Sequence, residues 1–247
     1  MSDIFSYNRV SLQLRSYALT HYKSWLTATL ALFGIILLYS SVIKSNQRID
    51  NLYQNWFFGI LYIGGIILAS KALNGMYQKS QNIDFFLTPT SSLEKTLTPL
   101  LIINIFFPVY LIIAMTCGSF LIEVINSLLS NKNSATFNFY ESDIISSIPL
   151  WLTIQTAYFL GSAWFSKNNL IKTTIALCIT ITSFLIFTLL CLKVILPELH
   201  LSTSFNTLTI ALKNNGSILI IGAIVLVLSG WLLAWLKVKE MEVQHGV

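Results

Sequence analysis

Long apolar runs separated by short polar segments set the pattern of this chain. Six runs stand out, at about Trp25–Ile43, Asn55–Ser70, Pro99–Leu129, Pro149–Phe165, Leu170–Leu196 and Gly216–Leu236. A helix crosses a bilayer core with about 20 residues, and about 17 to 25 is usual, so each run is read as a transmembrane helix. The second and fourth are short; the third and fifth are long enough to tilt or to emerge from the bilayer. Pro108 lies inside the third and predicts a kink there. Ahead of the first run, Tyr7, Val10, Leu14, Tyr17 and His21 recur at spacings of three and four. That period predicts an amphipathic helix within residues 1–24, lying in the membrane interface before the first span. The following run is long enough to span and no small-x-small site follows it, so residues 1–24 are not expected to be a cleaved signal. The expected fold is an all-α membrane protein, one transmembrane domain over residues 1–247. It has six transmembrane helices and an N-terminal interfacial amphipathic helix.

Composition strengthens this reading. Of the 247 residues, 55% are hydrophobic and 10% charged, with a mean hydropathy of +0.71, whereas soluble domains carry about 25% charged residues. The net charge is +5, but the charges fall between the apolar runs. They therefore speak for orientation and the membrane surface and against nucleic acid. With the N-terminus inside, the cytoplasmic segments hold Arg9, Arg15, Lys23, Lys71, Lys79, Lys95, Lys167, Lys172, Lys237 and Lys239. The outer segments hold Lys44, Arg48, Lys132, Lys193 and Lys213. This bias places both termini in the cytoplasm.

The search for catalytic chemistry returns absences. The chain has no GxxxxGK[ST] loop to cradle ATP phosphates and no HExxH pair. Cys117, Cys178 and Cys191 all sit in apolar runs away from histidines, and read as small core residues rather than ligands or disulfides. No histidine lies in a span to activate the hydroxyl of Ser162. No enzymatic activity, cofactor or metal is therefore expected in this chain. Glu123 and Lys193 are the charges within apolar runs, both near the outer ends. They either pair across the third and fifth spans or reach the headgroups, and neither gives a proton or sodium relay much to work with. Asn104, Gln155, Thr180 and Ser183 are candidates to line a translocation path, with interhelical hydrogen bonds as the competing reading. Ala114 and Gly118, Ala157 and Gly161, and Gly230 and Ala234 are small-xxx-small pairs that permit close helix approach.

The most informative polar stretch is Ser70–Lys95, SKALNGMYQKSQNIDFFLTPTSSLEK. Ser91 and Glu94 have the spacing of a capping box just before an apolar run, and Pro89 marks the break ahead of it. Aromatics set among charges of both signs suit a docking surface, while a solvated linker is the plain alternative. The tight turn Ser166-Lys167-Asn168-Asn169 would make a second, smaller contact.

Two stretches carry a family resemblance. Ser70-Lys71-Ala72-Leu73 followed by Phe86-Leu87-Thr88-Pro89-Thr90-Ser91-Ser92-Leu93-Glu94-Lys95 is similar to a Ser-Lys … Leu-x-Pro-x-Ser-x-x-Glu-Lys pattern. That pattern recurs in small bacterial permease subunits of type-two ATP-binding-cassette exporters. Phe159–Lys167, running on to Ile171-Lys172-Thr173, resembles their turn between the fourth and fifth spans. The resemblance implies a cytoplasmic coupling helix in the 71–98 loop that docks on a separate ATPase subunit, through Met76, Tyr77, Lys79, Ile83, Asp84, Phe85 and Phe86. It implies Lys167, Asn168 and Asn169 as the second contact. It further implies a second copy of the chain, a bacterial inner-membrane location, and ATP and magnesium held by the ATPase. Partners would thus be an ATPase, a second permease and membrane lipid. The competing functions are a non-transporting assembly or immunity factor that binds through the same loop, and an ion-coupled secondary transporter.

Overall fold

The computed structural model describes residues 6–42, 46–77, 90–130, 137, 142–195 and 216–244. All elements among them are helical. In chain order they are α1 (Tyr7–Val42), α2 (Asn46–Lys71), a single 3-10 turn at Asn74–Met76, α3 (Ser92–Leu101), a π-helical turn (Ile102–Phe106), α4 (Phe107–Ser130), α5 (Ser142–Trp164), α6 (Asn169–Ile195) and α7 (Gly216–Gln244). Among the described residues, four stretches are long and apolar enough to cross a membrane: Tyr53–Met76, Ser92–Ile125, Asn169–Thr188 and Ile220–Val243. Only 6% of the Asn169–Thr188 window and 17% of the Ile220–Val243 window is buried within the chain. Such wide apolar surfaces require a non-aqueous surrounding. The described residues are all-helical, and their apolar helices make this a multi-pass membrane protein.

Helix α1 departs from the expected division at residue 24. It runs as one 36-residue helix through both the amphipathic segment and the first apolar run. The physical reason is that no glycine or proline lies between Tyr7 and Phe33 to interrupt it. Where the sequence predicts a kink at Pro108, the helix forms a π turn. The Phe107 N–H bonds back to Ile102 O, an i→i+5 step that closes the π turn immediately before Pro108. Proline has no N–H and its ring crowds the carbonyl four residues back, so widening the preceding turn accommodates it. The capping box at the start of α3 forms as the sequence predicts. The Glu94 N–H donates to Ser91 Oγ (3.3 Å), and the Ser91 N–H donates to Glu94 Oε2 (3.0 Å).

Helix α5 is the centre of the bundle and packs against α2, α6 and α7. Each of these interfaces seats a polar side chain against a glycine. Gly65 on α2 faces Gln155, Gly161 of α5 faces Thr173 on α6, and Gly230 on α7 faces Thr156. A Cβ at any of the three would collide with the facing side chain. Gly118 likewise receives the Phe33 ring of α1. The small-residue pairs expected to promote helix approach are therefore occupied within one chain. Gly230→Leu is expected to destabilise the bundle by roughly 1–3 kcal/mol through overpacking, read as a lower melting temperature in detergent. Gly222→Leu is the control, because a Cβ there meets nothing within 4 Å, and it should melt as the wild type.

Helices α1 and α3–α4 run parallel, side by side. Gln13 meets Thr98, Trp25 meets Tyr110, and Phe33 meets Gly118, a constant sequence offset over twenty residues of α1. The Trp25 and Tyr110 rings pack edge to face with centroids 4.8 Å apart.

Candidate functional site at the charged end of the bundle

One end of the bundle gathers the start of α1, the end of α2, the start of α3, the α5–α6 turn and the end of α7. Its centre is the adjacent pair Glu94 and Lys95 on α3. Successive residues on a helix point about 100° apart, so the two side chains leave α3 in different directions. Glu94 turns to α1. It is fully buried, accepts from the Ser6 N–H at 2.6 Å, and has Arg9 Nη1 at 3.8 Å. Lys95 turns to α7, and its Nζ donates to Glu242 Oε1 at 2.8 Å, with 3% and 16% of the two side chains exposed. One turn further along α3, the Thr98 hydroxyl donates to Gln13 Oε1 at 2.6 Å. The first turns of α3 thus hold the N-terminal and C-terminal helices at once.

The other side of this end is mainly apolar. Ala69, Leu73 and Met76 at the close of α2 are buried against Phe159 and Ala163 of α5 and Ala234 and Val238 of α7. The Tyr77 hydroxyl donates to Ala163 O at 2.5 Å. Burial raises the Tyr77 phenol above its ordinary pKa, which the Lys237 charge opposes and Glu240 reinforces, so the hydroxyl remains a donor at neutral pH. The Asn169 amide donates to Asn74 Oδ1 and to Ser70 O (3.4 Å). Asn168 has a positive φ of 53°, a left-handed conformation that asparagine tolerates, and this lets the α5–α6 turn close in a few residues.

Several candidate residues separate in this arrangement. Met76 is 1% exposed and faces the core of its own chain, and Tyr77 is held by α5. Neither is presented to a partner in this conformation. Lys79, Ile83, Asp84, Phe85 and Phe86 lie outside the described residues. Lys167 and Asn168 are exposed at the turn, whereas Asn169 is buried in the joint just described.

The four path candidates are not brought together. Gln155 is 1% exposed. With its amide oriented to satisfy both neighbours, Nε2 donates to Gly65 O (2.7 Å) and Oε1 accepts from Trp151 Nε1 (3.1 Å). It is an interhelical tie. Thr180 is exposed and its hydroxyl is spent on Ala176 O (2.7 Å), and Ser183 is exposed on the same helix. Asn104 sits in the π turn, and its Oδ1 is shielded from solvent with no hydrogen-bond partner among the described residues.

Cys117 and Cys178 are free, as expected, but exposed on apolar helix faces rather than in the core. An apolar helix whose outer face meets lipid is apolar all round, so the sequence does not tell its inside from its outside. Glu123 is partly buried, and the Lys193 side chain lies outside the described residues. No group of three metal-ligating side chains occurs among the described residues. Sequence reasoning found Glu94 through its capping spacing but missed its pairing with Arg9, the Lys95–Glu242 pair and the Gln13–Thr98 bond. These partners lie 85 to 147 residues apart in sequence, and no local signal joins them. Comparison with protein-family models, curated proteins and solved structures finds no match for this chain.

Proposed function

We propose that the chain is the membrane subunit of a transporter driven by a separate ATP-binding-cassette ATPase, most simply an exporter. The observation that carries this reading is the joint at the charged end of the bundle. The segment 78–89 leaves from Tyr77, which is tied to α5, with Asn74 just before it tied to α6. It returns at the α3 cap, which is tied to α1 and α7. A push on that segment therefore reaches helices across the bundle, as a coupling element requires. Phe85 and Phe86 in that segment supply aromatic anchors for a partner cleft. In this reading the ATPase contributes ATP and magnesium, a second copy of the chain completes the membrane part, and the complex sits in a bacterial inner membrane with six spans and both termini cytoplasmic.

The proposed topology has a direct check. Single cysteines at Asn46, Asn138 and Asn206, in a background with the three native cysteines replaced, are expected to react with an impermeant maleimide in intact cells. One at Gln81 is not. Reaction at Gln81 would reverse the orientation and remove the loop from any cytoplasmic ATPase.

The π turn gives a second check on transport. A buried carbonyl without a partner costs roughly 1–3 kcal/mol, and an apolar replacement of similar shape removes that cost. Asn104→Leu is expected to raise the melting temperature while lowering ATPase stimulation, because π turns inside α-helices are frequent at functional sites. A variant that gains stability and keeps full stimulation would assign the turn to accommodating Pro108 alone.

A further inference from the structure

Along their line of contact, α1, the π turn and α4 form a groove of about 540 Å³. This lies within the range of about 300–1,000 Å³ typical of small-molecule sites. It opens outward, since Tyr22 is 54% and Ile113 58% exposed along its edge. Its polarity changes along its length. Towards the start of α1 it is lined by Leu14, Tyr17, Ala18 and Tyr22, and Arg15 shares the Tyr22 face of the helix two turns earlier. Lys23 Nζ stands 5.9 Å from the Tyr22 ring centroid. Arg15 and Lys23 are exposed and make no ion pair among the described residues, and none of the 36 residues of α1 is acidic. The deep end is lined by Phe33, Ala114 and Cys117. The hydroxyls in between are already satisfied. Tyr110 donates to Trp25 O (3.1 Å) and Thr29 donates to Leu26 O (2.8 Å).

We infer that this groove binds one acyl chain of an anionic phospholipid, with the phosphate at the Arg15–Lys23 end. Three features select that occupant. The basic, tyrosine-rich mouth followed by a dry apolar trough has the charge and polarity order of such a lipid, and tyrosine and basic residues belong at headgroup level. The Tyr110 and Thr29 hydroxyls within the trough are already bonded within the chain. From Tyr22 to Phe33 the helix rises about 16 Å, about half of a hydrocarbon core of about 30 Å, which is the depth of one leaflet.

The test uses the full chain in detergent, with phosphatidylglycerol or phosphatidylcholine of the same acyl chains added before native mass spectrometry. One phosphatidylglycerol is expected to remain bound, preferred over phosphatidylcholine by about fivefold for each basic residue engaged. Arg15→Gln with Lys23→Gln should abolish the preference and keep the adduct, and Ala114→Trp should abolish the adduct. Cys117 supplies a measurement on an otherwise intact groove. With Cys178→Ala and Cys191→Ala, phosphatidylglycerol should slow its alkylation several-fold. Equal retention of the two lipids, an Ala114→Trp protein that keeps its adduct, or unchanged Cys117 alkylation would each overturn the proposal. So would Cys117 protection that follows protein concentration rather than lipid, which would assign the groove to a second copy of the chain.

Discussion

Glu94→Ala is expected to lower the stability of the purified protein by roughly 2–5 kcal/mol, chiefly by leaving buried backbone donors without their acceptor. The carboxylate is fully buried and accepts from two backbone N–H groups, those of Ser6 and Ser91. Its loss leaves both donors without that acceptor, at roughly 1–3 kcal/mol each where water does not reach them, and opens a cavity at the start of α3. The Arg9 contact adds little, because its side chain is 37% exposed and the separation is 3.8 Å. Glu94→Gln keeps the shape and one acceptor oxygen, and is expected to lie between the wild type and alanine. Denaturation in detergent, followed by tryptophan fluorescence, checks the order. If alanine and glutamine variants both unfolded with the wild type, the first turns of α3 would not hold α1 as described. Lys95→Ala should act on the other side of the joint, freeing the α7 terminus from Glu242, and limited proteolysis near residue 242 reads that release.

Under the proposed function, Phe85→Ala combined with Phe86→Ala is expected to weaken the hold of the chain on the proposed ATPase partner by about a thousandfold. Buried aromatic anchors each contribute about 2 kcal/mol or more on truncation, and about 4 kcal/mol corresponds to nearly three decades in affinity. Lys79→Ala should do far less, since rim charges act mainly on association rate and salt dependence. Membrane insertion should be unaffected, because neither change falls in an apolar run. A pull-down of the tagged chain, with ATP hydrolysis measured in the recovered complex, gives the answer. Full recovery with normal stimulated hydrolysis would show that the two phenylalanines serve only the membrane interface, and would remove the docking reading. The lipid groove would stand or fall separately, since it involves no residue of the loop.

How far these expectations were readable without coordinates depends on the range of the interaction involved. Helix positions were legible because they follow from local rules. Apolar runs of spanning length became α2, α4, α6 and α7. The Ser91–Glu94 spacing became a formed capping box, and Pro108 announced a disturbance that took the shape of a π turn. Even the failure at residue 24 has a local cause. The amphipathic pattern changes there, but nothing in the backbone chemistry breaks the helix. Which face of each helix lies inside was not legible. In a membrane the lipid-facing side is as apolar as the packed side, so periodicity loses its meaning, and Thr180 and Cys117 were given places in the interior that they do not occupy. The tertiary structure alone decided that Gln155 ties α5 to Gly65 and that three glycines make room for polar neighbours. It alone decided that Glu94 and Lys95, adjacent in sequence, bind opposite ends of the chain. Such contacts depend on which helices become neighbours, and that is settled by packing summed over the whole bundle rather than by any stretch of sequence.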